Sequence, residues 1–553
     1  MEYYDLGSYR RTVTTDVADA QLWFDRGLNW LYAFNHAESL ACFERAIEAD
    51  GSCAMAHWGR AMAIGPNYNL PWHLMDRRTR TRALATAHEA TTTALGLLDG
   101  VADFERDLIE ALPARYPRAE LPEETREMSD WNPAFTEAMA AVYDRHGDDL
   151  DVVAVYVDAM MNETPWQMWD LVTGEPAEGA KTVLARSVLE AAQADPAYWD
   201  HPGSLHLYVH LMEMSPRPEL GLRSGDRLRR LVPDGGHLIH MPTHLDVLCG
   251  NYHDVVAWNT EAMRADRRWL DREGLYNVYT LYRNHNTHFL IYGALFLGQY
   301  ATALAAAEEL IEQIPEDFLR VESPPFADAA EGFVAMKQHV FVRFGKWREI
   351  IDQDLPEDQE LYCATTAIML YAKTVAHAAL GEVAEAETSQ EAFLAARDRV
   401  PDSRRVHNNT VLDLLQVAEA MIDGELAYRK GDHERAFDHL REAIRREDAL
   451  PYDEPWGWMQ PTRHALGALL LEQGRHEEAE AVYRADLGLD DSINRTAQHP
   501  NNLWALHGLL ECLEQRGETV EASHIRQQLE LAKARADVEI KASCYCHQAA
   551  MTA

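Results

Sequence analysis

The sequence predicts an all-α fold, an array of antiparallel helix pairs. Three observations carry that expectation. Apolar residues recur at three- and four-residue spacing along most of the chain, strand-like alternation is scarce, and breaks rich in Gly, Pro and Asp return roughly every fifteen residues. Helices of that length joined by short turns are helical hairpins. With 553 residues and 47% apolar content the chain also exceeds what one compact domain usually holds, so several lobes or a repeat array are expected.

Individual segments bear this out residue by residue. The first carries Trp23, Gly27, Trp30, Phe43 and Ala46; a later one has Gly424, Gly431, Ala436 and Ala443; another has Gly467, Gly474, Ala479 and Tyr483; Trp504 and Gly508 open a last unit. Gly250-Asn251-Tyr252, Gly298-Gln299-Tyr300, Gly345-Lys346-Trp347 and Gly381 mark turns inside further pairs. Together these positions resemble the tetratricopeptide-repeat (TPR) pattern over most of the chain. The resemblance implies a TPR-like α-solenoid in which small residues at positions 8 and 20 let paired helices approach and large ones fill the gap between neighbours.

The array is expected to be irregular. Residues 1–69 read as N-terminal TPR-like repeats, 70–200 as an irregular helical region, 201–313 as central repeats, 314–543 as C-terminal repeats and 544–553 as a Cys-x-Cys tail. Within the irregular region, Trp166-Gln167-Met168-Trp169 reads as packing, because aromatics at helical spacing are mostly core.

Composition narrows the function classes. Fifty-one basic against ninety acidic residues give a net charge of −39, which repels phosphate backbones, so no nucleic-acid partner is expected. Neither an eighteen-residue apolar run nor a secretory leader is evident, so the expectation is a cytoplasmic protein with no membrane partner. Seven cysteines, odd in number and mostly within helical patterns, do not suggest a disulfide framework. Cys544 and Cys546, followed by His547, read either as incidental residues of an exposed tail or as a thiolate pair suited to a soft ion such as Cu(I).

The distinctive feature is histidine. Nine of twenty-five lie between His201 and His288, about twice an even share. His206 and His210 stand one helical turn apart with Glu213 three residues on; His237, His240 and His244 follow at i, i+3 and i+7; His285 and His288 form a third set. His206 to His240 and His210 to His244 are each one 34-residue repeat period. In the repeat numbering His206, His210 and Glu213 take positions 5, 9 and 12; His237, His240 and His244 take 2, 5 and 9; His285, His288 and Tyr292 take 2, 5 and 9; His339 takes 9. The family resemblance implies that these positions line a concave groove. By the same numbering His36, His433 and His476 are packing residues and His253 is solvated. Pro242 either interrupts the helix carrying the third to fifth of these histidines or begins one.

Several neutral imidazoles on one face are natural ligands for a transition metal, since protonating them together is repulsive. We therefore expect one or two ions bound by His206, His210, Glu213, His237, His240, His244, His285, His288 and His339. Copper or iron suits so imidazole-rich a set, zinc is possible, and Tyr292 is a candidate to orient a ligand or carry a proton. The zinc-hydrolase H-E-x-x-H and deaminase patterns are absent, as are phosphate loops, dinucleotide fingerprints and nucleophile elbows. Two readings follow: a copper or iron oxidoreductase acting on a small molecule or short peptide in the groove, or a peptide-binding scaffold whose histidines hold a structural metal or form a metal-free network.

Overall fold

The computed structural model describes residues 3–547 and is all-α, its helices mostly joined by short turns. Among the described residues the strands amount to one small hairpin, Arg405–Val406 antiparallel to Asn409–Thr410. No helix among them is long and apolar enough to cross a membrane. Two compact units emerge: Met1–Leu245 with Glu261–Arg283, and Asp246–Thr260 with Asn284–Ala553. Their boundary falls inside the helices Tyr252–Glu273 and Tyr279–Leu297, within the histidine-bearing segment 201–313.

In the first unit, helices Ala18–Tyr32, His36–Ala49 and Ala54–Ile64 pack in succession. The reason is local. Phe43 is fully buried between two glycines, and a Cβ at Gly27 or Gly59 would approach its ring to 2.8 or 2.3 Å. Only glycine lets the aromatic ring of one helix lie flat against both neighbours. The second unit repeats the device: Tyr483 on helix His476–Asp486 fills the space at Gly467 and Gly508, where a Cβ would come within 2.4 and 2.2 Å of its ring. These are contacts of the kind expected of TPR-like pairs, a large residue of one helix seated against small residues of its neighbours.

Turns inside the pairs are equally regular. Gly250, Gly298, Gly345, Gly381, Gly431 and Gly474 all have φ between +63° and +81°. Each closes a helix by the same two bonds, as when Gly431 N donates to Tyr428 O (2.9 Å) and Asp432 N to Ala427 O (3.0 Å).

Helix Pro202–Glu213 packs on Ala18–Tyr32 and on Leu150–Met161 within the first unit. Helix Gly236–His240 then stops, and Thr243–Leu248 follows after Met241 and Pro242. The proline thus separates two short helices, because it lacks the N–H that a continuous helix needs there.

The cysteine expectation is corrected at the chain's far end: Cys544 and Cys546 are joined by a disulfide, while Cys42, Cys53, Cys363 and Cys512 are free thiols. The segment is held rather than loose, since Arg343 donates to Ser543 O (3.3 Å), Arg429 donates to Cys546 O, and Tyr545 packs edge-on to Trp504 at 5.9 Å. Residues 548–553 of the expected tail lie outside the described residues.

Candidate metal centre

His206 and His210 project from helix Pro202–Glu213, whose first turn is set by Pro202 and by His201 at the N-cap. His201 Nδ1 accepts from Ser204 N (3.0 Å), and its Nε2–H donates to Asp151 at 3.1 Å. Asp151 also accepts from the hydroxyls of Tyr9 and Tyr32. Tyr32 is thereby fixed, and its carbonyl, in the last turn of helix Ala18–Tyr32, accepts the Nδ1–H of His206 at 2.7 Å. One turn on, His210 Nδ1–H donates to Glu213 Oε1 at 2.9 Å.

A carbonyl only accepts, so the single N–H of neutral His206 sits on Nδ1 and its Nε2 presents a lone pair; His210 takes the same form opposite an ionised Glu213. Both Nε2 atoms are buried, with no hydrogen-bond partner among the described residues. His237, on helix Gly236–His240, is 2% exposed, and neither of its ring nitrogens has such a partner. One ring nitrogen from each of His206, His210 and His237 falls within 4.8 Å of the others. Leaving a buried acceptor unsatisfied costs about 1–3 kcal/mol per group, so three converging here form a costly vacuum of donors unless a ligand fills it. An imidazole that gives one nitrogen to a carbonyl or carboxylate and points the other at its neighbours is the usual arrangement around a metal.

His240 and His244 extend the cluster in the same unit. Their Nε2 atoms are 2.9 Å apart, and His244 Nδ1 lies 2.8 Å from Glu213 Oε2. Glu213, fully buried, therefore spans His210 and His244 with its two oxygens. The carboxylate sits on the Nδ1 side of both rings, where it sets their orientation.

Electrostatics agree with neutral donors. Burial, then neighbouring His210, holds His206 well below the ordinary histidine range; burial alone takes His210 to about 3; burial and then His206 lower His237 strongly. Burial also pushes Glu213 well above the usual carboxyl range. A cation bound beyond either ring would reverse that pressure by making Nδ1–H a stronger donor to the carboxylate.

The surroundings were not foreseen. The family resemblance implies an open groove, yet His206, His210, Glu213, His237, His240 and His244 are all 0–2% exposed. Aromatic side chains of the same unit enclose them: Phe34 lies 4.4 Å from His206 and stacks on His210 (5.5 Å) and His237 (5.7 Å), Tyr68 is 5.0 Å from His210, Trp166 is 5.9 Å from His210, and Tyr282 is 5.0 Å from His237. Trp166, read from sequence as mere packing, thus borders the cluster.

Phe34 and Trp166 have φ of +54° and +59°, uncommon for large side chains. Phe34 closes helix Ala18–Tyr32 through the bonds that glycine makes elsewhere, its N to Leu31 O (3.1 Å) and Asn35 N to Trp30 O (3.0 Å). Counting from Trp23 at position 4, Phe34 is position 15, the turn glycine of the other pairs. A phenylalanine there is the sequence signal that points to this aromatic cover. Beside it lies a cavity of about 40 Å³, bordered mainly by apolar groups of Leu31, Phe34, Met62, Ala154 and Leu207, and reaching His206.

The remaining candidates belong to the second unit. His285 and His288 meet His407, a residue the sequence reading did not single out, and ring nitrogens of the three lie within 4.8 Å of one another. His339 is buried with its ring 5.2 Å from Trp458. Tyr292 shares the helix of His285 and His288 and is 2% exposed, its ring packed against Phe296 at 4.8 Å. Of the histidines set aside by the repeat numbering, His253 is exposed, His36 contacts Ala63 O (3.3 Å) and His433 stacks on Tyr428 (4.7 Å).

No protein-family model matches the chain, and no curated protein matches it in sequence. Several solved structures overlap it at low identity. They include the human IFIT1 dimer with m7Gppp-AAAA (11% identity, TM-score 0.34, covering 94% of this chain and 92% of that one). The APC/C hetero-tetramer Cut9-Hcn1 gives 12%, 0.27, 96% and 96%, and yeast Tom70 gives 11%, 0.27, 94% and 92%. These overlaps are loose, and the TPR-like character of the chain is carried by its own packing of Phe43 and Tyr483 between paired glycines.

Proposed function

We propose that the chain is a metal-dependent oxidoreductase in which copper or iron, held by the buried histidines of residues 206–244, reacts with a small molecule. One observation carries the reading. His206 and His210 commit their Nδ1–H groups to oxygen acceptors and leave Nε2 lone pairs buried, unsatisfied among the described residues and close to the equally unsatisfied His237. Neutral imidazoles of this kind bind copper, iron or zinc. Copper is favoured over zinc by the apolar aromatic cover, while the carboxylate behind the rings supports any of the three metals alike. With an all-imidazole shell the Cu(I) state avoids burying a second positive charge. His240 and His244 supply two further donors for a second ion. The apolar cavity beside His206 has room for a small uncharged molecule such as dioxygen, which makes an oxygen-dependent reaction the specific form of the proposal.

The test is metal content and turnover of full-length protein purified without a metal-affinity tag, compared with a His206→Ala, His240→Ala double variant. Copper or iron in the wild type, loss in the variant of the share held by residues 206–244, and oxygen consumption with candidate reductants are expected. Wild-type protein that holds no transition metal and takes none up on reconstitution overturns the reading. Tightly bound zinc without turnover instead supports a scaffold with a structural metal.

A further inference from the structure

The second unit has a donor set of different chemistry. Between its two short strands, Arg405–Val406 and Asn409–Thr410, the chain turns through His407, whose φ of +47° is left-handed. His407 Nε2 lies 2.9 Å from His285 Nδ1, and one turn along the same helix His288 brings a ring nitrogen within 4.8 Å of both. His288 is fully buried. Its Nε2 is 2.8 Å from the sulfur of Met459, also fully buried, and its Nδ1 has no hydrogen-bond partner among the described residues. Phe333 closes one side, 5.2 Å from His288 and 4.9 Å from His407.

Hydrogen bonding alone accounts poorly for this group. One shared proton satisfies the His285–His407 pair, but a thioether is a weak acceptor, and a bond from His288 to it leaves the other ring nitrogen orphaned in the interior. The nitrogen and the sulfur already face each other, and an ion between them would part them to the wider separation of two ligands. Zinc sites draw on thiolate, imidazole and carboxylate, whereas a neutral thioether beside imidazoles is the choice of a soft, singly charged ion. Burial without a carboxylate among the donors also disfavours a divalent charge. The backbone strain at His407 matches what is stored where a ligand must be held in one orientation.

We infer that His285, His288, His407 and Met459 form a Cu(I) site, separate in its ligands from the centre proposed for residues 206–244 and independent of that proposal. Two of these ligands, His407 and Met459, come from the turn and the loop rather than from the repeat positions that flag the other histidines.

The test uses anaerobic titration of full-length protein with Cu(I) against a chromophoric Cu(I) chelator, together with X-ray absorption at the copper edge. A His206→Ala, His210→Ala, His237→Ala variant, which removes the first centre, is expected to retain one tightly bound Cu(I) with a sulfur scatterer. In that background Met459→Leu, close in volume, is expected to lose the sulfur signal and weaken Cu(I) by about tenfold or more, with Zn(II) affinity unchanged. If the triple variant does not fold, the same Met459→Leu comparison is made in the wild type, where the part of the sulfur signal lost with Met459 reports this site. Absence of a sulfur scatterer in copper-loaded protein, or Cu(I) affinity indifferent to Met459, overturns the inference. Wild type and triple variant binding equal amounts of copper would sink the first centre and leave this one standing.

Discussion

The Nδ1–H of His206 is bonded at 2.7 Å to the carbonyl of Tyr32, 174 residues earlier in the chain. The end of one helix thereby fixes the proton on a ring carried by another and turns the free nitrogen toward His210 and His237. Since Tyr32 is anchored by Asp151, a carboxylate well outside the histidine cluster sets the aim of a candidate ligand.

Glu213→Gln is expected to weaken metal binding without unfolding the protein. A carboxylate accepts from His210 and places its second oxygen 2.8 Å from His244 Nδ1, whereas an amide offers one acceptor and one donor, so one of the two rings must turn or change tautomer. Loss of such a supporting group typically lowers metal affinity by about 10–100-fold, readable by chelator competition. Unchanged affinity would assign Glu213 a packing role.

Phe34→Gly restores the residue that the other turns use. Relief of left-handed backbone returns about 1–2 kcal/mol, while removal of a buried phenylalanine costs about 3–5 kcal/mol, so a net loss of roughly 2 kcal/mol is expected. Chemical denaturation measures it. The same variant is expected to release metal to a chelator faster, because the ring that covers three imidazoles is gone.

Acid should destabilise the metal-free protein from near neutrality downward. His464 is 1% exposed, and burial, outweighing the nearby Asp486 carboxylate, lowers its pKa from 6.5 to about 4. The unfolded chain therefore takes up a proton that the folded one refuses. Its contribution is complete above about pH 6.5 and drains away as pH falls toward 4, by roughly 1.4 kcal/mol per pH unit. Burial would raise Asp486, yet His464 and His499 hold it well below the carboxylate range, so its own contribution fades only at lower pH. Urea midpoints from about pH 6.5 to about pH 5 should fall less steeply in His464→Gln than in wild type.

Gly508→Ala tests the repeat packing. The added methyl would meet Tyr483 at 2.2 Å, and that ring is pinned on its other side by Gly467 and at its hydroxyl by Ser543. A loss of about 1–3 kcal/mol is expected, partly recovered when Tyr483→Leu accompanies it. Simple additivity of the two changes would refute the clamp.

The fold was legible because its determinants are local. Helical periodicity, turn glycines and small residues at position 8 act within one or two hairpins, and Phe43 and Tyr483 meet the glycines that the spacing predicts. The histidine pairs were legible for the same reason, since repeat position alone relates His206 to His240. Phe34, Tyr68 and Trp166 were not, because turns and non-repeat loops bring them to the cluster. His407 and Met459 reach His285 and His288 from more than a hundred residues away, and no periodic rule links them. The Cys544–Cys546 bond was missed because counting cysteines suits frameworks of many bridges, not a single short loop.

The 34-residue offset between His206–His210 and His240–His244 has a consequence for how such a centre can originate. A lone helix bearing His-x-x-x-His offers two nitrogens, too few to retain a metal firmly. Copying one hairpin beside itself doubles the donors in a single genetic event and faces the copies toward each other by the same stacking that builds the array. Any gene already encoding this repeat is therefore one tandem duplication from four clustered imidazoles, with His237 and orienting groups such as Glu213 left to be recruited afterwards.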